Sequence, residues 1–260
     1  MLPKLENCSV GIIGLGYVGL PLALEIAKQR KCLLTKNKLE RFVFGYDINK
    51  SRIDELSRGV DRNKIFSKEQ IKEVKKLRFV SDKNLLKNID VFIITVPTPI
   101  TNKNEPNLIY IKESSELVGE LIRDSEKRFI NPIIIYESTV YPGLTEEICV
   151  PIIEKRSEKK HNSKSFFNSF YCGYSPERIN PGDTKNTIDT ITKVTSGCNK
   201  KVANWISSFY GSFIKGGTYQ TSSIKVAEAA KIIENTQRDI NIALINELSI
   251  LFNKLNINTK

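Results

Sequence analysis

Lys231 and Asn235 stand four residues apart in a long helical pattern, so they share one face, with Glu228 three residues before the lysine. An ammonium beside an amide donor can stabilise an oxyanion. The same spacing also describes an ordinary surface pair. Three further polar groups follow apolar runs of strand length: Thr95-Val96-Pro97-Thr98-Pro99, Glu137-Ser138-Thr139-Val140-Tyr141-Pro142-Gly143 and Ser175-Pro176-Glu177-Arg178-Ile179-Asn180-Pro181-Gly182. Each could be a proline-stiffened turn. Together they fall where open α/β sheets bind ligands, at the carboxyl ends of strands, which predicts one shared site.

A fourth segment supplies a reason for that site. In VGIIGLGYVGLPLALEIA (10–27), Gly14, Gly16 and Gly19 follow a buried strand and open a helix. Such glycines permit a tight turn, the close approach of a pyrophosphate and the packing of helix on strand. Asp47 ends the next strand, where a carboxylate can bind both ribose hydroxyls and would repel a 2′-phosphate, which predicts NAD rather than NADP. Asp47 lies 28 residues after Gly19, against the usual ~20. The polar segment around KCLLTKNKLERF (31–42) is read as a surface insertion that accounts for the excess.

These residues need a frame. CSVGII (8–13), FVFGY (42–46), VFIITV (91–96), PIIIYES (132–138) and FYCGY (170–174) read as buried strands. Helical patterns separate them: GLPLALEIAKQ, KSRIDELSRG, KEQIKEVKKL, a stretch from Leu108 to about Lys127, and TEEICVPIIEK. This alternation predicts a Rossmann-like, doubly wound α/β fold with a parallel sheet. Residues 222–257 continue as one helical pattern of about 50 Å. Ile233, Ile240, Leu244, Leu248 and Leu251 lie on its broad apolar surface, which predicts a partner chain or a further domain. The expected division is a dinucleotide-binding domain over 1–218 and a connecting helix over 219–260.

Composition narrows the classes. The 260 residues are 40% hydrophobic, with no apolar run long enough for a membrane span and no signal-peptide pattern, which predicts a cytoplasmic protein without a membrane partner. Five scattered cysteines with one histidine, His161, argue against a disulfide scaffold or a metal site. The formal charge of +11 would attract any polyanion, but the basic residues are spread among acids without interleaved aromatics, which argues against a nucleic-acid groove.

The motifs GLGYVGLPLA, VPTP, ESTVYPGLTEE, GYSPERINPGD, TSG and KVAEAAKIIENTQRDINIALINEL together resemble the UDP-glucose/GDP-mannose dehydrogenase family, over nearly the whole chain and closest to the branch acting on UDP-N-acetylhexosamines for surface polysaccharides. The resemblance implies oxidation of a sugar C6 alcohol to a carboxylate with two NAD⁺, through an aldehyde and a cysteine-bound thioester. It implies cofactor contacts from Gly14, Gly16, Tyr17, Val18, Gly19, Asp47, Arg52, Val96, Pro97, Thr98, Ser138, Thr139 and Glu177. Thr139 would also position a water, Glu177 would handle that water or act as base, and Lys231 with Asn235 would hold the oxyanion. A homodimer through the long helix is the expected assembly, with a UDP-sugar as substrate.

Two departures qualify the resemblance. Members outside this branch usually carry a second glutamate four residues after the SPE glutamate, where this chain has Pro181. The nucleophilic cysteine of the family lies in a glycine-rich segment beyond the long helix, and none of Cys8, Cys32, Cys149, Cys172 and Cys198 matches it. The expectation is therefore that these 260 residues bind NAD without completing the oxidation alone, as the cofactor-binding part of such an enzyme. The alternative is a non-catalytic NAD-binding or helix-mediated interaction fragment.

Overall fold

A computed structural model describes residues 1–127, 130–163, 168–178 and 188–259. The chain begins with β1 (Val10–Ile13), α1 (Gly19–Lys28), β2 (Val43–Tyr46), α2 (Lys50–Ser57), α3 (Lys68–Glu73), β3 (Leu77–Val80), β4 (Val91–Ile94), α4 (Ile109–Arg123) and β5 (Ile133–Tyr136). A π-helical turn (Thr145–Cys149) then leads into α5 (Val150–Ser157), β6 (Lys160–His161) and β7 (Ser169–Tyr174). After these come β8 (Lys193–Thr195), α6 (Lys200–Gly211), β9 (Thr218–Gln220) and α7 (Ile224–Lys254).

Seven strands form one parallel sheet in the order β3-β2-β1-β4-β5-β7-β6, and β8 pairs with β9 apart from it. All four residues of β1, β4 and β5 are buried, because helices cover both faces and leave no solvent side for a polar alternation. Successive side chains therefore serve opposite cores. Val10, Ile12, Ile93 and Ile135 pack with α1 and α6, whereas Ile13, Phe92, Ile94 and Tyr136 pack with α4 and α5. Strand order reverses between β1 and β4, so a crevice opens at their carboxyl ends. The Rossmann-like architecture and the long helix match the sequence reading.

Several elements differ from it. The pattern KEQIKEVKKL stays helical only to Glu73, closed at its start by a Ser67–Gln70 capping box. Its last residue, Leu77, opens β3, where LRFV pairs in register with VFGY of β2. Alternation of period two outweighs helical periodicity there. β8, α6 and β9 are not among the elements that the sequence pattern predicts, although Asn199 caps α6 by accepting from Val202 N at 2.9 Å.

Nor is the segment before β2 only a surface insertion. Its lysines are exposed, but Cys32, Leu39 and Arg41 are buried. Arg41 Nε donates to Leu5 O at 2.8 Å, Nη1 donates to Ser212 Oγ at 2.8 Å, and the guanidinium lies 4.7 Å from the Phe209 ring centroid. The apolar and cationic residues of the insertion are thus part of the packing. Among the cysteines, Cys8, Cys32, Cys149 and Cys172 are buried and Cys198 is half-buried, and burial pushes the Cys8, Cys149 and Cys198 thiols up to about 11.

α7 begins with a Ser223 cap whose hydroxyl accepts from Val226 N. Only Ile224, Ala227 and Glu228 of its 31 residues are buried. Ile233, Ile240, Leu244, Ile245 and Leu251 are exposed. Among the described residues, no helix is long and apolar enough to cross a membrane.

His161 gives the fold a pH response. Its ring lies 5.4 Å from that of Phe170, and burial lowers its pKa from the ordinary imidazole value. The unfolded chain therefore takes up this proton at higher pH than the native one, so stability falls as pH drops through about 6.5. Urea unfolding at pH 7.5 and pH 5.5 is expected to show that decline, with a smaller decline in His161→Phe.

Candidate functional site

The first half of the site is the turn between β1 and α1. Gly14 adopts φ 95°, in the left-handed region that favours glycine. A methyl group on Gly19 would fall 1.9 Å from Gly14 O and 2.5 Å from Thr95 Oγ1, so no other residue fits there. The Thr95 hydroxyl lies 2.8 Å from Gly14 O and 3.0 Å from Ile13 O, donating to the strand end and bracing the turn from β4. Gly16 is different: a methyl group there meets nothing within 4 Å. Its open side is the space that a phosphate group needs, above a helix start that carries no side-chain cap. Tyr17 is exposed beside it.

Asp47 and Arg52 hold Leu15, the residue between the first two glycines. Asp47 Oδ2 accepts from Leu15 N at 2.9 Å, and Oδ1 accepts from Asn49 N at 2.9 Å. The sequence reading put Arg52 near the ribose. Its guanidinium instead turns inward, donating to Leu15 O at 3.1 Å and to Asp61 Oδ1 at 2.8 Å. A buried Arg–Asp pair beneath the loop fixes its backbone, while Asp47 remains half-buried at the rim.

The strand-end motifs meet on the same edge. Thr98 Oγ1 donates to Thr139 O at 2.6 Å, Ser138 Oγ donates to Val96 O at 2.6 Å, and Tyr174 OH donates to Ser138 O at 3.1 Å. Val96, Thr98, Ser138 and Thr139 are thus brought together, with Pro97 and the Thr139 side chain exposed above the sheet.

α7 joins them through Glu228. Its buried carboxylate accepts from Gly143 N at 2.6 Å and Thr145 N at 3.0 Å, which docks the helix on the turn after β5. One helical turn on, Lys231 Nζ donates to the main-chain oxygen of Glu177, and Arg178 Nη2 reaches Glu234 Oε1 at 3.2 Å. Burial lowers the Lys231 pKa, opposed by the charges of Glu234 and Glu177. Glu177 and Lys231 are therefore together. Asn235 is exposed on the helix beyond them, and Pro181 lies outside the described residues.

Beneath Glu177 is a cluster in which the motif residue Glu137 meets two residues outside the motifs, Lys193 and Tyr210. Glu137 is fully buried: Lys193 Nζ donates to its Oε2 at 2.6 Å and Tyr210 OH donates to Oε1. Burial raises the Glu137 pKa, and Lys193 opposes that rise. Burial would lower the Lys193 pKa, but Glu137 and Glu177 together outweigh it and the net direction is up. Glu137 is legible as the acid that opens the polar group after the apolar strand, although its sequence does not say that it turns inward. Lys193 and Tyr210 carry no such local signal, because α6 and β8 bring them in from distant sequence.

Residues 8–214 match the NAD binding domain of the UDP-glucose/GDP-mannose dehydrogenase family, and residues 225–260 match the central domain of that family. The chain belongs to this family. It is 48% identical over 256 residues to a UDP-N-acetyl-D-glucosamine 6-dehydrogenase of Salmonella typhi, covering 98% of this chain and 55% of the relative. A Pseudomonas aeruginosa protein of the same name is 46% identical, with 98% and 56% covered. The solved UDP-D-ManNAc dehydrogenase of Pyrococcus horikoshii superposes with TM-score 0.79 at 30% identity, covering 96% of this chain and 55% of that one. The chain spans about half the length of the curated relatives it matches.

The family's NAD-binding domain is thus present, and the open face of Gly16 beside Asp47 fits a dinucleotide. Gly19→Ala is expected to destabilise the fold by about 1 to 3 kcal/mol, the usual cost of overpacking, measured by urea denaturation. Gly16→Ala should leave stability within about 0.5 kcal/mol yet weaken NAD⁺ binding in calorimetry.

Proposed function

We propose that this chain forms the cofactor-binding part of an NAD-dependent UDP-N-acetylhexosamine 6-dehydrogenase, oxidising a sugar C6 alcohol to a carboxylate for surface polysaccharide synthesis in the cytoplasm. The observation that carries the reading is the arrival of Glu177 and Lys231 on the sheet edge that also bears the glycine turn. The names of the 48% and 46% identical relatives from Salmonella typhi and Pseudomonas aeruginosa support the substrate class.

Gly14, Gly16 and Gly19, with Tyr17 and Val18, would hold the pyrophosphate, and Asp47 the adenosine ribose. Arg52 supports this only indirectly, through Leu15 O. Val96, Pro97, Thr98, Ser138 and Thr139 would border the nicotinamide. When bound, NAD⁺ supplies the hydride acceptor. The chain's own residues then orient the alcohol and manage its proton. Glu177 is the acid or base beside a water placed by Thr139. Lys231, with Asn235 one turn away, lies where an alkoxide or tetrahedral oxygen would need a cation. A Lys231 pKa below the ordinary ammonium value suits it to give up a proton as well as to hold charge.

The proposed division is a dinucleotide-binding domain over 1–218 and a connecting helix over 219–260. The exposed Ile240, Leu244 and Leu251 of α7 make that helix the surface of a homodimer.

Two measurements test this reading. Asp47→Asn keeps an acceptor for Leu15 N but removes the charge, and should weaken NAD⁺ binding about 10-fold or more, since a charge-assisted hydrogen bond contributes roughly 1.5 to 3 kcal/mol. Unchanged affinity in calorimetry would remove the ribose assignment. Sedimentation equilibrium should give a dimer for the unmodified chain and a monomer for Ile240→Glu with Leu244→Glu, and a strictly monomeric wild type would sink the helix interface.

A further inference from the structure

Lys193 occupies an unusual place for an ammonium group. It is 4% exposed, enters from β8 outside the main sheet, and faces two carboxylates. Glu137 Oε2 is 2.6 Å from Nζ, Glu177 Oε2 is 3.7 Å away, and the Tyr210 ring centroid is 5.4 Å away. An ammonium has three donors. The buried Glu137 takes one, and its second oxygen is already served by Tyr210, so the Glu137 side is complete without Glu177.

A buried pair that only stabilised the fold would need nothing more. Here the ammonium also points to the acid of the SPER segment. The other oxygen of that acid, Glu177 Oε1, accepts from Arg178 N at 2.6 Å. Glu177 is thus held from two sides, by its neighbour's amide and by a lysine whose own position is set by Glu137. Its backbone is held by Lys231.

We propose that Lys193 is a positioning residue, anchored by Glu137 and Tyr210, that fixes the Glu177 carboxylate at the reactive edge. The significance for the reaction rests on the role of Glu177 given above. Two carboxylates sharing one buried ammonium also give a physical reason for Glu137 in the EST motif: it keeps the lysine charged and aimed, although it does not itself reach the crevice.

Carbon-13 NMR of protein labelled at glutamate side-chain carboxyls tests this, with the Glu177 resonance identified by its loss in Glu177→Gln. The comparison is between Glu137→Gln, which keeps the ammonium, and Glu137→Gln with Lys193→Met, which removes both charges of the Glu137–Lys193 pair. The Glu177 resonance should differ between them, and Lys193→Arg in the otherwise unmodified chain should hold it near the wild-type position. Identical Glu177 resonances in two variants with similar melting temperatures would overturn the proposal.

If the double variant does not fold, the reciprocal experiment decides. The Lys193 Nζ resonance should move in Glu177→Gln, and a stationary signal would overturn the proposal equally. NAD⁺ titration of the same wild-type sample separates the two ideas, because failure to bind NAD⁺ would remove the dehydrogenase reading without altering the Lys193 result.

Discussion

The contact between Gly19 and the carbonyl of Gly14 sets the geometry on which the rest depends. With a methyl group excluded at 1.9 Å, α1 lies directly on the end of β1, closer than any side chain allows. That approach places the start of α1 above the point where strand order reverses, and Thr95 locks it from the neighbouring strand β4. Proximity then lets Asp47 and Arg52 grip Leu15 from two sides. A shift of α1 by one methyl radius would open the turn, misplace the amides at the helix start and break the register of polar groups along the edge.

A second constraint ties the opposite half of the edge to the first. Glu228 is a carboxylate with no exposed surface, and two backbone amides of the turn after β5 satisfy its charge. Such a group is costly to bury unless fully hydrogen-bonded, so its partners are fixed as firmly as an apolar contact. The turn that receives it includes the π-helical residues Thr145–Cys149, an irregularity frequent at functional sites. Because Glu228 is immobilised, Lys231 three residues later arrives at Glu177 by helix geometry alone. Past Lys231 every residue of α7 is half-buried or exposed.

Much of this was legible in the sequence where one segment carried the whole signal. The glycine turn, Asp47, the five central strands and the long helix each announce themselves through local periodicity or spacing. Lys231 is also legible, but only as a spacing, since nothing in the helix says which loop it meets. What failed to show was packing between distant segments. Arg41 sits in a run of lysines and reads as surface, yet Leu5, Ser212 and Phe209 bury it. Arg52 follows Asp47 closely enough in sequence to suggest a ligand contact, whereas Asp61 draws it inward. Lys193 is hidden for the same reason, because its two acids come from β5 and from the loop after β7.

The distribution of charge follows from these arrangements. The chain carries 40 basic and 29 acidic side chains, an excess that would suggest a strongly positive reactive crevice. Its charged groups near Glu177 instead come in close balance: Glu137, Glu177 and Glu234 face Lys193, Arg178 and Lys231. The excess lies on exposed lysines such as those before β2. Long-range attraction of an anionic dinucleotide is therefore a property of the surface, falling off over the roughly 8 to 10 Å screening length of physiological salt. Inside the crevice the balance serves a different end, since a compensated cluster holds the Glu177 and Lys231 segments in fixed positions. Separating the two tasks lets the surface charge vary while the geometry at Glu177 and Lys231 stays constant.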